Sequence, residues 1–155
     1  MRRHEPEGYD CPFCRLLRRA DTEQEVPGGI VHVDDHLGVI VNHTSWNGRP
    51  SSLMVVPRLH VENLYALPDD LGPHLLRAAR RSASALLVVD QCDGIAVRQH
   101  NEPAGGQDVW HLHIHVISSW HGEEYGAACA TRRLTSPAEQ HERSAALRPV
   151  YAAVP

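Results

Sequence analysis

No uninterrupted apolar stretch in the chain approaches the roughly 20 residues that a membrane-crossing helix needs. Met1-Arg2-Arg3-His4-Glu5-Pro6 opens no apolar signal core, so a cytoplasmic protein is expected. An excess of positive charge is also missing. Against 19 Asp and Glu stand 15 Lys and Arg, and the formal charge of −4 gives no footprint for duplex nucleic acid or an anionic membrane. A small anionic ligand stays open, because histidines and backbone amides can hold one. Repeats, low-complexity tracts and long Gly/Ser linkers are absent too, so 1–155 is read as a single domain. Cysteine is sparse. Four in a chain expected in the cytoplasm are thiols or metal ligands rather than a disulfide framework. Cys11 and Cys14 are close in sequence, whereas Cys92 and Cys129 are isolated and read as inert thiols.

What is present is ordinary for a globular chain, 42% hydrophobic and 22% charged. Residues 1–10 are polar and expected to be loose, 11–125 to form the core, and 126–155 a C-terminal helix and tail. Arg15 to Ala20 predicts a short helix after Cys11-Pro12-Phe13-Cys14. Gly28-Gly29 marks a turn, and the runs Ile30 to Val33 and Leu37 to Val41 around Asp34-Asp35 predict a hairpin. Asn42 to Pro50 reads as a loop and Leu53 to Pro57 as a third strand closed by its proline. Between Asp69 and Gln91 the residues Leu71, Leu75, Leu76, Ala79, Ala83, Leu86 and Leu87 recur at helical spacing and predict the main helix, ended by Asp93-Gly94. Ile95 to Gln99 gives a fourth strand and Val109 to Ser118 a fifth. Ser136-Pro137-Ala138-Glu139 combines an N-cap, a first-turn proline and a capping-box glutamate, opening a helix to about Leu147. The expected class is α+β, a mainly antiparallel five-stranded sheet with one long helix and a C-terminal helix.

Twelve histidines is a high count, about half of them in polar stretches where a solvated side chain is the plain reading. His111-Leu112-His113-Ile114-His115 is different. In a strand the three histidines share one face and Leu112, Ile114 and Val116 the other, with neighbouring imidazoles roughly 6.5 Å apart. Three such rings suit a merely structural strand poorly, since each buried unpaired nitrogen costs about 1–3 kcal/mol. Two chemistries fit the row. One is metal binding, because imidazole is a common transition-metal ligand. The other is nucleophilic catalysis, one ring attacking while its neighbours orient it and handle charge and protons. The loop Gly105-Gly106-Gln107-Asp108 favours the second, since its glycines let backbone N–H groups approach an anion.

The stretch His111-Leu112-His113-Ile114-His115-Val116-Ile117 resembles the signature of the histidine-triad (HIT) superfamily. Asn101, Ala104, Gly106-Gln107 and Val109 resemble the loop ahead of that signature, Leu53 to Pro57 followed by His60 resembles its strand-Pro-x-x-His element, and Cys11-x-x-Cys14 resembles the N-terminal pair of many bacterial members. The resemblance implies a HIT-like fold and a two-step reaction at an α-phosphate. His113 would be the nucleophile that carries a nucleotidyl group, and His115 would contact phosphate and assist the leaving group. Asn101, Gly106, Gln107 and Asp108 match positions that line the phosphate site, and Asn42 stands where many members carry a ribose-binding aspartate. Cys11, Cys14, His60 and His111 resemble a structural zinc set, the plain alternative for the pair being reduced thiols. No organic cofactor is implied. The implied partner is a nucleotide or nucleotide conjugate, with pairing into symmetric dimers through the long helix and a sheet edge. A nucleotide-binding HIT protein with little catalysis, and a metal-dependent enzyme with an ion on the triad, stand as other readings.

Some positions depart from the pattern. Asn42 replaces aspartate, as in the dinucleoside-polyphosphate phosphorylase branch, which Trp120 and Gly122-Glu123-Glu124-Tyr125 also resemble. His43 to Ser52 is about two residues longer than usual, and Ser118-Ser119 replaces a common Pro-Arg. These changes imply an unusual base or leaving group.

Overall fold

Leu37–Val41 (β2) and Leu53–Pro57 (β4) are apolar at nearly every position, and every residue of both strands is buried. Such strands belong in the middle of a sheet covered on both sides. The structure, a computed structural model describing residues 4–22, 29–50, 52–122 and 131–155, places them there. With Ile30–Val33 (β1), Gly94–Gln99 (β5) and Ile114–Ser119 (β6) they form a five-stranded antiparallel sheet in the order β1-β2-β4-β6-β5. Gly28, Glu123 to Tyr125 and Cys129 lie outside the described residues.

Helix Pro12–Thr22 (α1) covers one face, against Ile30, Ile40, Met54 and Val56. Gly72–Asp90 (α2) and Pro137–Ala153 (α3) cover the other, against Val39, Val41, Leu53, Val55, Leu112 and Val116. Period-two alternation therefore sorts each central strand between two cores. Gly38 faces α1 with no side chain because a Cβ there would come within 2.4 Å of Leu17 Cδ2.

Several boundaries differ from the sequence expectation. The fifth strand begins at Ile114 rather than Val109: His111 N–H donates to Val109 O at 2.8 Å, a tight bend that breaks the ladder. The main helix stops at Gln91, which takes the left-handed φ of 49°, before Asp93-Gly94 is reached. Its buried face is Leu75, Ala78, Ala79, Ser82, Ala85 and Leu86, while Leu76 and Leu87 point to solvent. The last helix runs six residues past Leu147 to Ala153, through Pro149. Within the Asn42 to Pro50 loop, Thr44–Ser45 (β3) pairs with Arg133–Leu134 (β7).

Candidate functional site

Phe13, on the buried side of α1, meets two histidine rings edge-on, His111 at 5.8 Å and His113 at 5.2 Å between centroids. It separates two groups of side chains. On one side lie Cys11, Cys14, His60 and His111, whose ligand atoms are all within 4.8 Å of one another. His111 Nδ1 is 3.2 Å from Cys11 Sγ and 3.5 Å from Cys14 Sγ, and His60 Nδ1 is 3.2 Å from Cys14 Sγ. The far nitrogens are held outside the cluster. His111 Nε2 donates to Pro57 O at 2.9 Å and His60 Nε2 to the Glu5 carboxylate at 3.1 Å. A carbonyl or carboxylate oxygen can only accept, so both rings turn Nδ1 lone pairs toward the thiols. That geometry explains the Pro-x-x-His element: Pro57 orients one imidazole and His60 supplies the other. Burial, reinforced by neighbouring Cys11, pushes the Cys14 thiol up to about 11. Burial also pushes the His111 ring down to about 4, the charge of His60 acting the same way and the Pro57 carbonyl opposing. Two thiols with two inward lone pairs form a donor set that fits a tetrahedral ion.

On the other side of Phe13 are His113 and His115, 4.8 Å apart between centroids and nearly perpendicular at 75°. The rings are closer than the strand rise alone predicts. His113 Nδ1 donates to the His111 carbonyl at 2.8 Å, which leaves the Nε2 lone pair exposed to a ligand. His113 is 4% exposed, and burial lowers its pKa, with the His111 carbonyl and the Asp108 charge opposing. Burial pushes His115 down to about 4, helped by His113 and His100, opposed by Asp108 and helped again by Arg98. Both rings are therefore neutral near pH 7. The three-histidine row is thus split: His111 joins the cysteines, and His113 and His115 stand apart.

The amides expected around a phosphate are committed to the frame. Asn101 Oδ1 accepts from Leu64 N–H at 2.8 Å and from Gln99 Nε2 at 3.0 Å, and its Nδ2 donates to Gln99 Oε1 at 2.6 Å. Gln107 donates to Glu62 O at 2.6 Å and Val109 O at 3.0 Å and accepts from Glu102 N–H at 2.9 Å. Asn42 donates to Ser52 Oγ at 3.2 Å and accepts from Thr44 N–H and Oγ1 at 3.2 and 3.0 Å. The glycine loop departs from the expected anion nest. The N–H groups of Gly105, Gly106 and Gln107 donate to Glu102 O or Pro103 O at 3.0–3.1 Å, closing a turn upon itself. Asp108 is exposed at the mouth of the site. Residues missed from the sequence are Phe13, Glu5, Arg98 and His100. The last two were legible as Arg98-x-His100, which the antiparallel register sets across from His113-x-His115.

Comparison with known proteins accords with this layout. The family described as HIT domain matches residues 23–122. An uncharacterized HIT-like protein of Saccharolobus solfataricus is 29% identical over 110 residues, 71% of this chain and 74% of that protein. Protein hit of Bacillus subtilis is 25% identical over 123 residues, 79% and 80% of the two chains. Among solved structures, a HIT-like protein involved in cell-cycle regulation from Bartonella henselae aligns with TM-score 0.76 and 26% identity, over 91% of this chain and 96% of that one. A zinc-bound histidine triad family protein of Mycobacterium smegmatis shares the fold at TM-score 0.69 and 21% identity, over 92% and 94%. The sheet flanked by α1 on one face and α2 and α3 on the other, the divided histidine row and the matched 23–122 region lead to one assignment: the chain belongs to the HIT domain family.

Proposed function

We propose that the chain is a nucleotidyl hydrolase or transferase that cleaves a nucleotide conjugate at its α-phosphate through a covalent intermediate on His113. The observation that carries this reading is the 2.8 Å bond from His113 Nδ1 to the His111 carbonyl. It fixes the tautomer, aims the ring and leaves Nε2 as a neutral nucleophile, in a ring that burial keeps unprotonated. The Nε2 lone pair attacks phosphorus as the bond to the leaving group breaks. Water or another acceptor then displaces His113 and releases the nucleotide. His115, 4.8 Å away, faces the same phosphate as a neutral hydrogen-bond partner. Asn42, Asn101 and Gln107 hold the walls, and a ligand polar group must share bonds they already make.

A structural zinc ion fits Cys11, Cys14, His60 and His111, the set found together within 4.8 Å, and the zinc-bound relative of the same fold supports it. The ion would supply an anchor, and no step of the reaction passes through it. Its ring ligand His111 also offers the carbonyl that orients His113, so the anchor and the nucleophile share one residue. A second copy of the chain is the partner, meeting edge strand β5 and helix α2, where Val97, Leu76, Leu87 and Val88 are 57, 72, 45 and 64% exposed. Among the described residues no helix is long and apolar enough to cross a membrane, and the reading places the enzyme in the cytoplasm.

The test is His113→Ala against nucleoside phosphoramidates and dinucleoside polyphosphates, with a labelled nucleotide to trap the adduct. Wild type forms a protein-nucleotide adduct that the variant lacks. Full turnover by the variant on each substrate that wild type cleaves refutes the nucleophile.

A further inference from the structure

Strand β5 pairs with β6 so that Arg98 lies opposite His115 and Gln99 opposite Ile114. One step further along that register sets His100 opposite His113. Residues two apart share a face, so His100 and Arg98 confront His113 and His115 across the two strands. The side chains bear this out: the His100 ring is 5.9 Å from His115, edge-on at 89°. Its Nδ1 donates to Gly105 O at 2.7 Å, which leaves Nε2 for other work. Gly106 closes the loop over this imidazole, and a Cβ there would stand 2.9 Å from His100 Nδ1. The turn thus holds a fourth histidine at the mouth of the site.

A leaving oxygen or nitrogen needs a proton as its bond to phosphorus breaks. His115 is an ineffective donor near neutral pH, since burial pushes it down to about 4. His100 is only half-buried, so water can reach its ring. We infer that His100 is a catalytic residue of the nucleotidyl site, the general acid for the leaving group and the general base for the incoming water. This assignment rests on the nucleotidyl reading above. In the first step the His113 Nε2–P bond forms, the bond from phosphorus to the leaving atom breaks, and that atom takes its electron pair and a proton from His100 Nε2–H. In the second, water gives a proton to His100 Nε2 as its oxygen bonds phosphorus, and His113 departs with its lone pair. The His100 ring begins and ends the cycle protonated.

The experiment compares two conjugates of one nucleoside 5′-monophosphate, an alkylamide and a p-nitrophenyl ester. The amide must be protonated to leave, whereas p-nitrophenolate leaves unaided. His100→Gln keeps an N–H for Gly105 O while removing the acid. General acid–base catalysis is worth about 10²–10⁴-fold, so in single turnover, where only the first step is read, release of the amine falls at least ~10²-fold while release of p-nitrophenolate changes by less than about threefold. In His100→Ala, added imidazole restores amide cleavage. Equal losses on both conjugates would make His100 a loop brace and overturn the assignment, as would no loss on either. A wild type that cleaves neither conjugate and forms no adduct overturns the nucleotidyl reading itself, an outcome distinct from an active enzyme indifferent to His100.

Discussion

Replacing Asp90 by alanine removes one half of the ion pair that ties α2 to α3. Arg143 Nη1 and Nη2 reach the two Asp90 oxygens at 2.6 and 2.8 Å, fork on fork, with side chains 12% and 1% exposed. The Ser118 hydroxyl donates to the same carboxylate, so the pair also fixes the end of β6, the strand that begins beside His113. A surface pair contributes about 0–1 kcal/mol, whereas removing one partner of a buried pair costs about 3–5 kcal/mol because the remaining charge loses its bidentate counter-charge. Burial puts this pair in the second class. At about 2–4 °C per kcal/mol for a domain of this size, Asp90→Ala lowers Tm by roughly 6–20 °C. Circular dichroism melts and urea titrations read the effect, with an unchanged urea slope. Asp90→Leu combined with Arg143→Met removes both charges and recovers most of the loss, since apolar replacement of a buried pair is often near neutral. A loss below about 1 kcal/mol in the single variant, or a double variant no better than the single, refutes the reasoning.

Three further outcomes follow from the site and its edges. His115 is held at about 4 by burial, below the ordinary histidine value near 6.5, so the unfolded chain takes up a proton first on acidification. Its contribution, on the order of 3 kcal/mol, is complete above the unfolded value and is lost as pH falls through about 4; urea midpoints across this range flatten in His115→Gln, and an unaltered pH slope contradicts the sign. Cys14→Ser leaves one fewer thiolate in the set of four, so elemental analysis finds less than one zinc per chain, and a chelator lowers Tm in wild type more than in the variant. Zinc retained in full sinks the structural site. Val97→Asp places a charge on the exposed face of edge strand β5 and sediments as a monomer at concentrations where wild type pairs; identical sedimentation of the two argues against that interface.

The central sheet was legible because hydrophobicity alone writes it: β2 and β4 are buried on both faces and read as unbroken apolar runs. The hairpin at Asp34 was legible from turn chemistry, its carboxylate accepting from the N–H groups of His36 and Leu37 at 2.8 and 2.9 Å. The reach of α3 was not. Pro149 reads as a stop because it removes a helical hydrogen bond, yet Tyr151, 2% exposed in the core, and Arg81, bonded to the carbonyls of Tyr151 and Val154, carry the helix past it. In the candidate site, Cys11, Cys14, His60 and His111 were foreseen as a set and lie together in the structure. Their division from His113 and His115 was implied by the family resemblance, whereas the bend at His111 that accompanies it was not, because a straight strand was assumed from Val109. The glycine loop was misjudged for a related reason: glycine permits an anion nest and a self-closed turn alike, and Glu102 O and Pro103 O decide for the turn. His100 was passed over because its importance lies in cross-strand register, which no local window reports.

The contact of Cys11 with His111 has a further consequence for the order of assembly. The two residues are 100 positions apart in the chain, and Cys14 and His60 are 46 apart. At about 5–20 residues per second, the cysteine pair is synthesised some 5–20 s before its last partner. Strands β1, β2, β4 and β5 and helix α2 are made within that interval, whereas β6, which completes the sheet, follows His111. Closure of the long loop is among the slow, non-local events of the fold. The apolar face of α1 has Ile30, Ile40, Met54 and Val56 to pack on before then, but its cysteines can meet their last partner only once translation has passed His111.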